Sequence, residues 1–243
     1  MHPFPAFHII FMSKRLEKIA SLVPDGSGVA DVGTDHGYLP LLLLKRGYTG
    51  NIYATDINAG PLSAARRSIS EAGYSERVEL MLCDGLSGCE GKKLDTVVIA
   101  GMGGDTITGI LDRAEWCMSG GYRLILQPAT KPEILRYWLV NNEFHISREE
   151  LIEENGIIYQ IISAEIGERE SYCDAELFVG KANKFCDCWL YMKQLDIHIR
   201  RFENTVQGLR STDRAETAAW LGLCDRIFTE LIEMRRKYND DCK

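Results

Sequence analysis

Between residues 13 and 166 short unbroken apolar runs take turns with longer stretches of helical period. Leu16, Ile19, Ala20 and Val23 recur at helical spacing behind Ser13, a candidate N-cap, and predict an opening helix over residues 14–22. Pro24 to Gly28 breaks it. Val29–Val32, Asn51–Ala54, Val78–Cys83, Asp95–Ala100 and Tyr122–Leu126 read as strands, and Val97, Val98 and Ile99 suit a strand buried on both faces. Helices are predicted between them over Leu39–Arg46, from Pro61 to about Ala72, around Thr106–Ala114, and from Pro132 to about Asn141. His145–Ile152 and Ile157–Ile166 flank Glu153-Glu154-Asn155-Gly156, a hairpin signature. The expected fold is α/β: a Rossmann-like, mostly parallel sheet with an antiparallel final hairpin.

The tail follows another rule. Phe185, Cys188, Met192, Leu195, Ile199, Phe202, Val206 and Leu209 are spaced alternately by three and four, a coiled-coil seam. A second series runs Trp220, Cys224, Ile227, Leu231, Met234 and Tyr238, and Asp213 with Glu216 resembles a capping box at its start. Two helices joined by a tight turn predict a C-terminal antiparallel helical hairpin. The domain reading is therefore residues 12–170 for the sheet domain and 171–243 for the hairpin, with residues 1–11 a possible N-terminal extension before a start at Met12.

Charge narrows the choice of partner. The formal net charge of −7 argues against a generally basic nucleic-acid binder, yet residues 181–243 carry 12 Lys/Arg against 10 Asp/Glu. The tail is thus the end less hostile to a polyanion. Residues 4–11 are apolar but too short to span a bilayer, and lack the basic leader and small-residue cleavage site of a signal peptide. The eight cysteines form no C-x-x-C pair, which points to thiols in a reducing cytoplasm and to no metal site.

The candidate chemistry lies at the predicted strand ends. Asp31-Val32-Gly33-Thr34-Asp35-His36-Gly37-Tyr38 reads as a strand entering a glycine turn and a helix. It lacks the central glycine that admits a pyrophosphate, which disfavours an NAD-dependent dehydrogenase. Asp56, 23 residues after Gly33, falls where an acid holds ribose hydroxyls, and Asp84 before Gly85 could accept from an adenine amino group. A ribose and an adenine without phosphates suggest S-adenosylmethionine. Asp31 could fix the loop backbone or meet the ligand's amino group. His36 could move a proton or merely bond the backbone. Gly101-Met102-Gly103-Gly104, after the fourth strand, reads as a loop with room for a flat ring.

Together Asp31–Pro40, Cys83–Leu86, Ile99–Gly104 and Leu126-Gln127-Pro128 resemble the bacterial tRNA adenine-N1 methyltransferases that modify position 22. The resemblance covers residues 12–243. It implies S-adenosyl-L-methionine as donor and tRNA as substrate. On that basis Asp31, Gly33, Asp35, His36, Gly37, Tyr38, Asp56, Asp84, Gly85, Gly101 and Met102 are expected at the cofactor. Asp35 would stabilise the charge developing on the base, with Gly101 and Met102 shaping its slot and Tyr38 or Met102 supporting it. Lys14, Arg15, Lys18, Lys131, Arg136, Arg200, Arg201, Arg210 and Arg214 are the expected tRNA contacts. The expected protein is a cytoplasmic enzyme, monomer or weak homodimer, with no membrane or metal partner. A methyltransferase for another RNA or a small molecule, or a non-catalytic cofactor-binding scaffold using the hairpin, stays open.

Overall fold

The computed structural model describes residues 13–185, 187–211 and 218–241. The possible extension at residues 1–11, Arg214 and the Asp213/Glu216 cap fall outside the described residues. The elements are α1 (Lys14–Leu22), β1 (Val29–Val32), α2 (Tyr38–Lys45), β2 (Ile52–Asp56), α3 (Ala59–Glu71), β3 (Val78–Leu82), β4 (Thr96–Gly103), α4 (Gly104–Asp112), β5 (Arg123–Thr130), α5 (Pro132–Asn141), β6 (Phe144–Glu154), β7 (Ile157–Ile166), α6 (Asp174–Val179), α7 (Cys188–Arg210) and α8 (Ala218–Asp241). The seven strands form one sheet in the order β3-β2-β1-β4-β5-β7-β6. β1, β2 and β3 pair in parallel, and β7 runs antiparallel to β5. Asn155 and Gly156, at φ 52° and 79°, make the two-residue turn between β6 and β7, matching the hairpin signature.

The chain packs as two compact units, Met1–Val98 with Ile152–Ile157 and Ile99–Leu151 with Ile158–Lys243. In the first, β1 and β2 are buried along their whole length, the polar Asp31, Thr55 and Asp56 along with their apolar residues. Leu39 to Leu44 of α2 are all buried, so this helix is apolar all round because it is enclosed. Ser13 stands at the N-cap of α1, but its side chain caps nothing. Its hydroxyl donates to Glu154 Oε2 (2.8 Å), and Glu154 Oε1 accepts from the Lys14 N–H (2.8 Å). A carboxylate from the hairpin tip therefore caps the helix, with the favourable charge for a helix N-terminus.

In the second unit the core of the helical pair joins Tyr191, Leu195, Phe202 and Val206 of α7 to Cys224, Ile227 and Leu231 of α8, with Leu151, Ala175 and Val179 beside them. Bridges Asp196–Arg235 and Arg210–Asp225 pair early with late positions, so the helices run antiparallel. The predicted seam is displaced at its start. Cys188 is exposed at the first position of α7, and Leu190, Tyr191 and Gln194 are buried instead. The reason is α6, which packs there and widens the buried face; six residues are too few to leave a periodic signal in the sequence.

Candidate functional site

In the first unit the carboxyl ends of β1, β2 and β3 are tied together by an uncharged residue. Thr55, fully buried in β2, accepts at its backbone oxygen from the N–H groups of Gly33 (2.8 Å) and Thr34 (2.9 Å). Its hydroxyl donates to the Gly85 carbonyl at 2.9 Å. The glycine turn after β1 and the Asp84-Gly85 turn after β3 thus hang from one side chain and one carbonyl. Gly33 and Gly37 hold left-handed backbone (φ 75° and 73°). A Cβ on Gly37 would lie 3.1 Å from Ile69 Cδ1 and 3.3 Å from Ala65 Cβ, so α3 packing requires this glycine as well as its torsion.

Asp31 is 6% exposed, and its Oδ2 has no hydrogen-bond partner among the described residues; nor has the Thr34 hydroxyl. Burial raises the Asp31 carboxyl to about 6; Thr34 pulls the other way, and the Asp56 charge pushes it further up. A buried, unpartnered carboxylate oxygen is costly unless a ligand completes it. Asp56 accepts the Asn58 N–H at Oδ1 (2.8 Å), a turn that leads into α3. Asp84 is exposed beside Gly85. Asp35 is exposed and left-handed at φ 52°, a conformation costly for a residue with a side chain. His36 stacks on Tyr38 with centroids 5.3 Å apart, and its Nε2 lies 3.6 Å from Asp35 Oδ1. Ile57 and Leu82 are 62% and 59% exposed, and Leu82 pairs in register with Asp56. Open apolar side chains beside recessed carboxylates suit a ligand with flat apolar faces and polar edges.

Gly101 and Met102 belong to the second unit. A loop was expected here; instead Gly101–Gly103 continue β4 and Gly104 begins α4. The cause is Gln127, fully buried in β5, whose Oε1 accepts from the Gly101 N–H (3.1 Å) and whose Nε2 donates to the Pro128 carbonyl (2.8 Å). A Cβ on Gly104 would meet the Lys131 carbonyl oxygen at 2.1 Å, so α4 can begin this close to the end of β5 only with glycine. Met102 is half-buried. Lys131 is exposed and pairs with Asp105 at 2.9 Å, and that contact holds the Asp105 carboxyl below its usual range.

The other basic candidates divide sharply. Lys14 is exposed, and Arg15 and Lys18 are half-buried on α1. Arg200 and Arg201 are exposed on α7, while Arg210 holds both Asp225 oxygens at 2.9 Å. Arg136 is a correction: it has no exposed surface and cannot meet a phosphate. Its guanidinium binds Glu149 and Gln160 and donates to the carbonyls of Leu177 (2.8 Å) and Phe178 (3.2 Å) at the end of α6. Helical spacing alone does not distinguish an outward arginine from one turned inward to a buried acid.

Sequence reasoning missed Thr55, Ile57 and Leu82, and placed Gln127 in a motif without a role. One signal was available: Thr55 and Gln127 are polar residues at the ends of otherwise apolar runs. Among the described residues no grouping of His, Cys, Asp and Glu could hold a metal ion, and no helix is long and apolar enough to cross a membrane.

Comparison with known proteins gives this geometry a context. Residues 12–162 match the methyltransferase domain family. The tRNA (adenine(22)-N(1))-methyltransferase of Bacillus subtilis is 34% identical over 163 residues, 67% of this chain and 68% of that enzyme. The crystal structure of the B. subtilis M1A22 tRNA methyltransferase TrmK superposes with a TM-score of 0.82 at 26% identity, over 92% of this chain and 98% of that one. The Streptococcus pneumoniae protein Sp1610, in complex with S-adenosyl-L-methionine, gives 0.74 at 28% identity, over 92% of this chain and 99% of that one. The chain belongs to the methyltransferase domain family, in the group of the B. subtilis tRNA (adenine(22)-N(1))-methyltransferase.

Proposed function

We propose that this chain transfers the methyl group of S-adenosyl-L-methionine to N1 of adenine 22 in tRNA, in the cytoplasm, as a monomer or weak homodimer. Residues 12–170 would form the methyltransferase domain and 171–243 the helical hairpin. The observation that carries the reading is the buried Asp31 carboxylate, whose free oxygen awaits a cationic or hydrogen-bonding partner beside the recessed Asp56. The residues present fit an adenosyl ligand. Asp31 would take its amino group and Asp56 its ribose hydroxyls. Gly33, Gly37 and Gly85 supply close backbone, with Asp84 at the adenine edge and Ile57 and Leu82 against its faces. When bound, this donor supplies an electrophilic methyl group.

The rest falls to the chain. Adenine N1 carries an in-plane lone pair and needs no base to remove a proton, so the task is alignment and exclusion of water. Gly101 and Met102 would shape the base slot. Asp35, with His36 and Tyr38 stacked beside it, would oppose the positive charge that appears on the ring. N1 lies on the pairing edge, so the base must leave any pair or stack before it reacts.

Lys14, Arg15 and Lys18 in the first unit would meet tRNA phosphates, as would Lys131 and the outer face of α7, with Arg200, Arg201 and Arg210, in the second. On that face Trp189 is 65% exposed with Lys193 Nζ 5.1 Å from its ring centre, and Ile197 and Arg200 continue the stripe at helical spacing. The test is mass spectrometry of nucleosides and nuclease fragments from unmodified tRNA after incubation with enzyme and donor. N1-methyladenosine at position 22 is the expected product. A methyl group at another base, or none in tRNA, would overturn the reading.

A further inference from the structure

Gln127 is out of character for its strand. Leu124, Ile125 and Leu126 before it are fully buried and apolar, as a central strand demands, and Gln127 is buried to the same extent. A carboxamide in that setting is disfavoured unless its amide is engaged. Both of its ends are engaged on backbone: Oε1 on the Gly101 N–H and Nε2 on the Pro128 carbonyl. Gly101 is exposed and left-handed at φ 79°, and glycine has the most conformational freedom to lose. Further along, the strip is packed against the end of β5 as well: a Cβ on Gly103 would lie 3.2 Å from Thr130 Oγ1, and one on Gly104 would overlap Lys131. Gln127 therefore anchors the near end of a four-residue strip whose far end is pinned by contact.

We infer that Gln127 is a positioning residue for methyl transfer: it touches neither substrate, but fixes the Gly101 backbone so that Gly101 and Met102 present a rigid slot to the acceptor base. This rests on the proposed function. In-line transfer is sensitive to placement, and an error of about 1 Å can cost on the order of a hundredfold in rate. Loss of the anchor should therefore act on kcat and leave donor affinity alone.

Gln127→Met keeps the length and removes both bonds. Its kcat should fall about tenfold to a hundredfold, with the Kd for S-adenosyl-L-methionine within about twofold of the parent. Gln127→Glu keeps an acceptor in reach of the Gly101 N–H, whereas Gln127→Asn, one methylene shorter, does not; the first should retain at least about five times the kcat of the second. Folded Gln127→Met with parental kcat overturns the inference. If that variant does not fold, equal kcat for the Glu and Asn variants overturns it. Should the parent itself fail to methylate tRNA, the proposed function falls, whereas a fully active Met variant counts against the anchor alone.

Discussion

Asp31 and Arg136 are both charged and buried, and their surroundings treat them oppositely. Arg136 is enclosed by Glu149, Gln160 and two carbonyls that end α6, so its guanidinium is satisfied from within the chain. Burial leaves the Glu149 carboxyl raised although Arg136 pulls it down, and its Oε1 has no hydrogen-bond partner among the described residues. At Asp31 the chain leaves one oxygen unpartnered, and the Asp56 charge repels it. The Glu149 charge is offset by a buried cation, whereas the Asp31 charge meets another acid. A buried ion pair marks a structural joint, here between α5, β6, β7 and α6. A buried acid that meets another acid marks a place where binding energy can be gained.

That contrast predicts opposite responses to removal. Arg136→Ala strands Glu149 and should cost about 3–5 kcal/mol in a urea melt. A loss below about 1 kcal/mol would show the joint to be dispensable. Asp31→Asn should instead stabilise the ligand-free protein by about 1–3 kcal/mol at pH 8, while weakening donor binding at least tenfold by calorimetry. Loss of both stability and binding would place Asp31 with the structural charges.

The pH dependence of Asp31 sharpens the point. Its folded pKa of about 6 lies above the unfolded value near 3.8, so the folded state holds the proton longer. Stability from this group is present below the unfolded pKa and is lost as pH rises toward 6. Pairing with a cation needs the carboxylate, so donor affinity should run the other way, about tenfold weaker at pH 5 than at pH 7. A flat binding profile across that range would remove Asp31 from the amino group.

A smaller effect is expected where charge is exposed. Changing Arg200 and Arg201 together to Glu should raise the KM for tRNA about three- to tenfold, reduce its salt dependence and leave donor affinity unchanged. A KM that does not move would take the outer face of α7 out of the substrate path.

What local pattern controls was legible from the sequence. The strands, the two-residue hairpin turn, the acids at successive strand ends and the antiparallel helical pair follow from apolar period, turn residues and spacing, because each depends on neighbours close in the chain. Contacts between distant residues decided the remainder. Glu154 replaced Ser13 as the cap of α1, Thr55 gathered two turns, Gln127 drew Gly101 into the strand, and Glu149 turned Arg136 inward. In each case a polar group takes a partner that lies 13 to 141 residues away in sequence, brought close only by the folded chain.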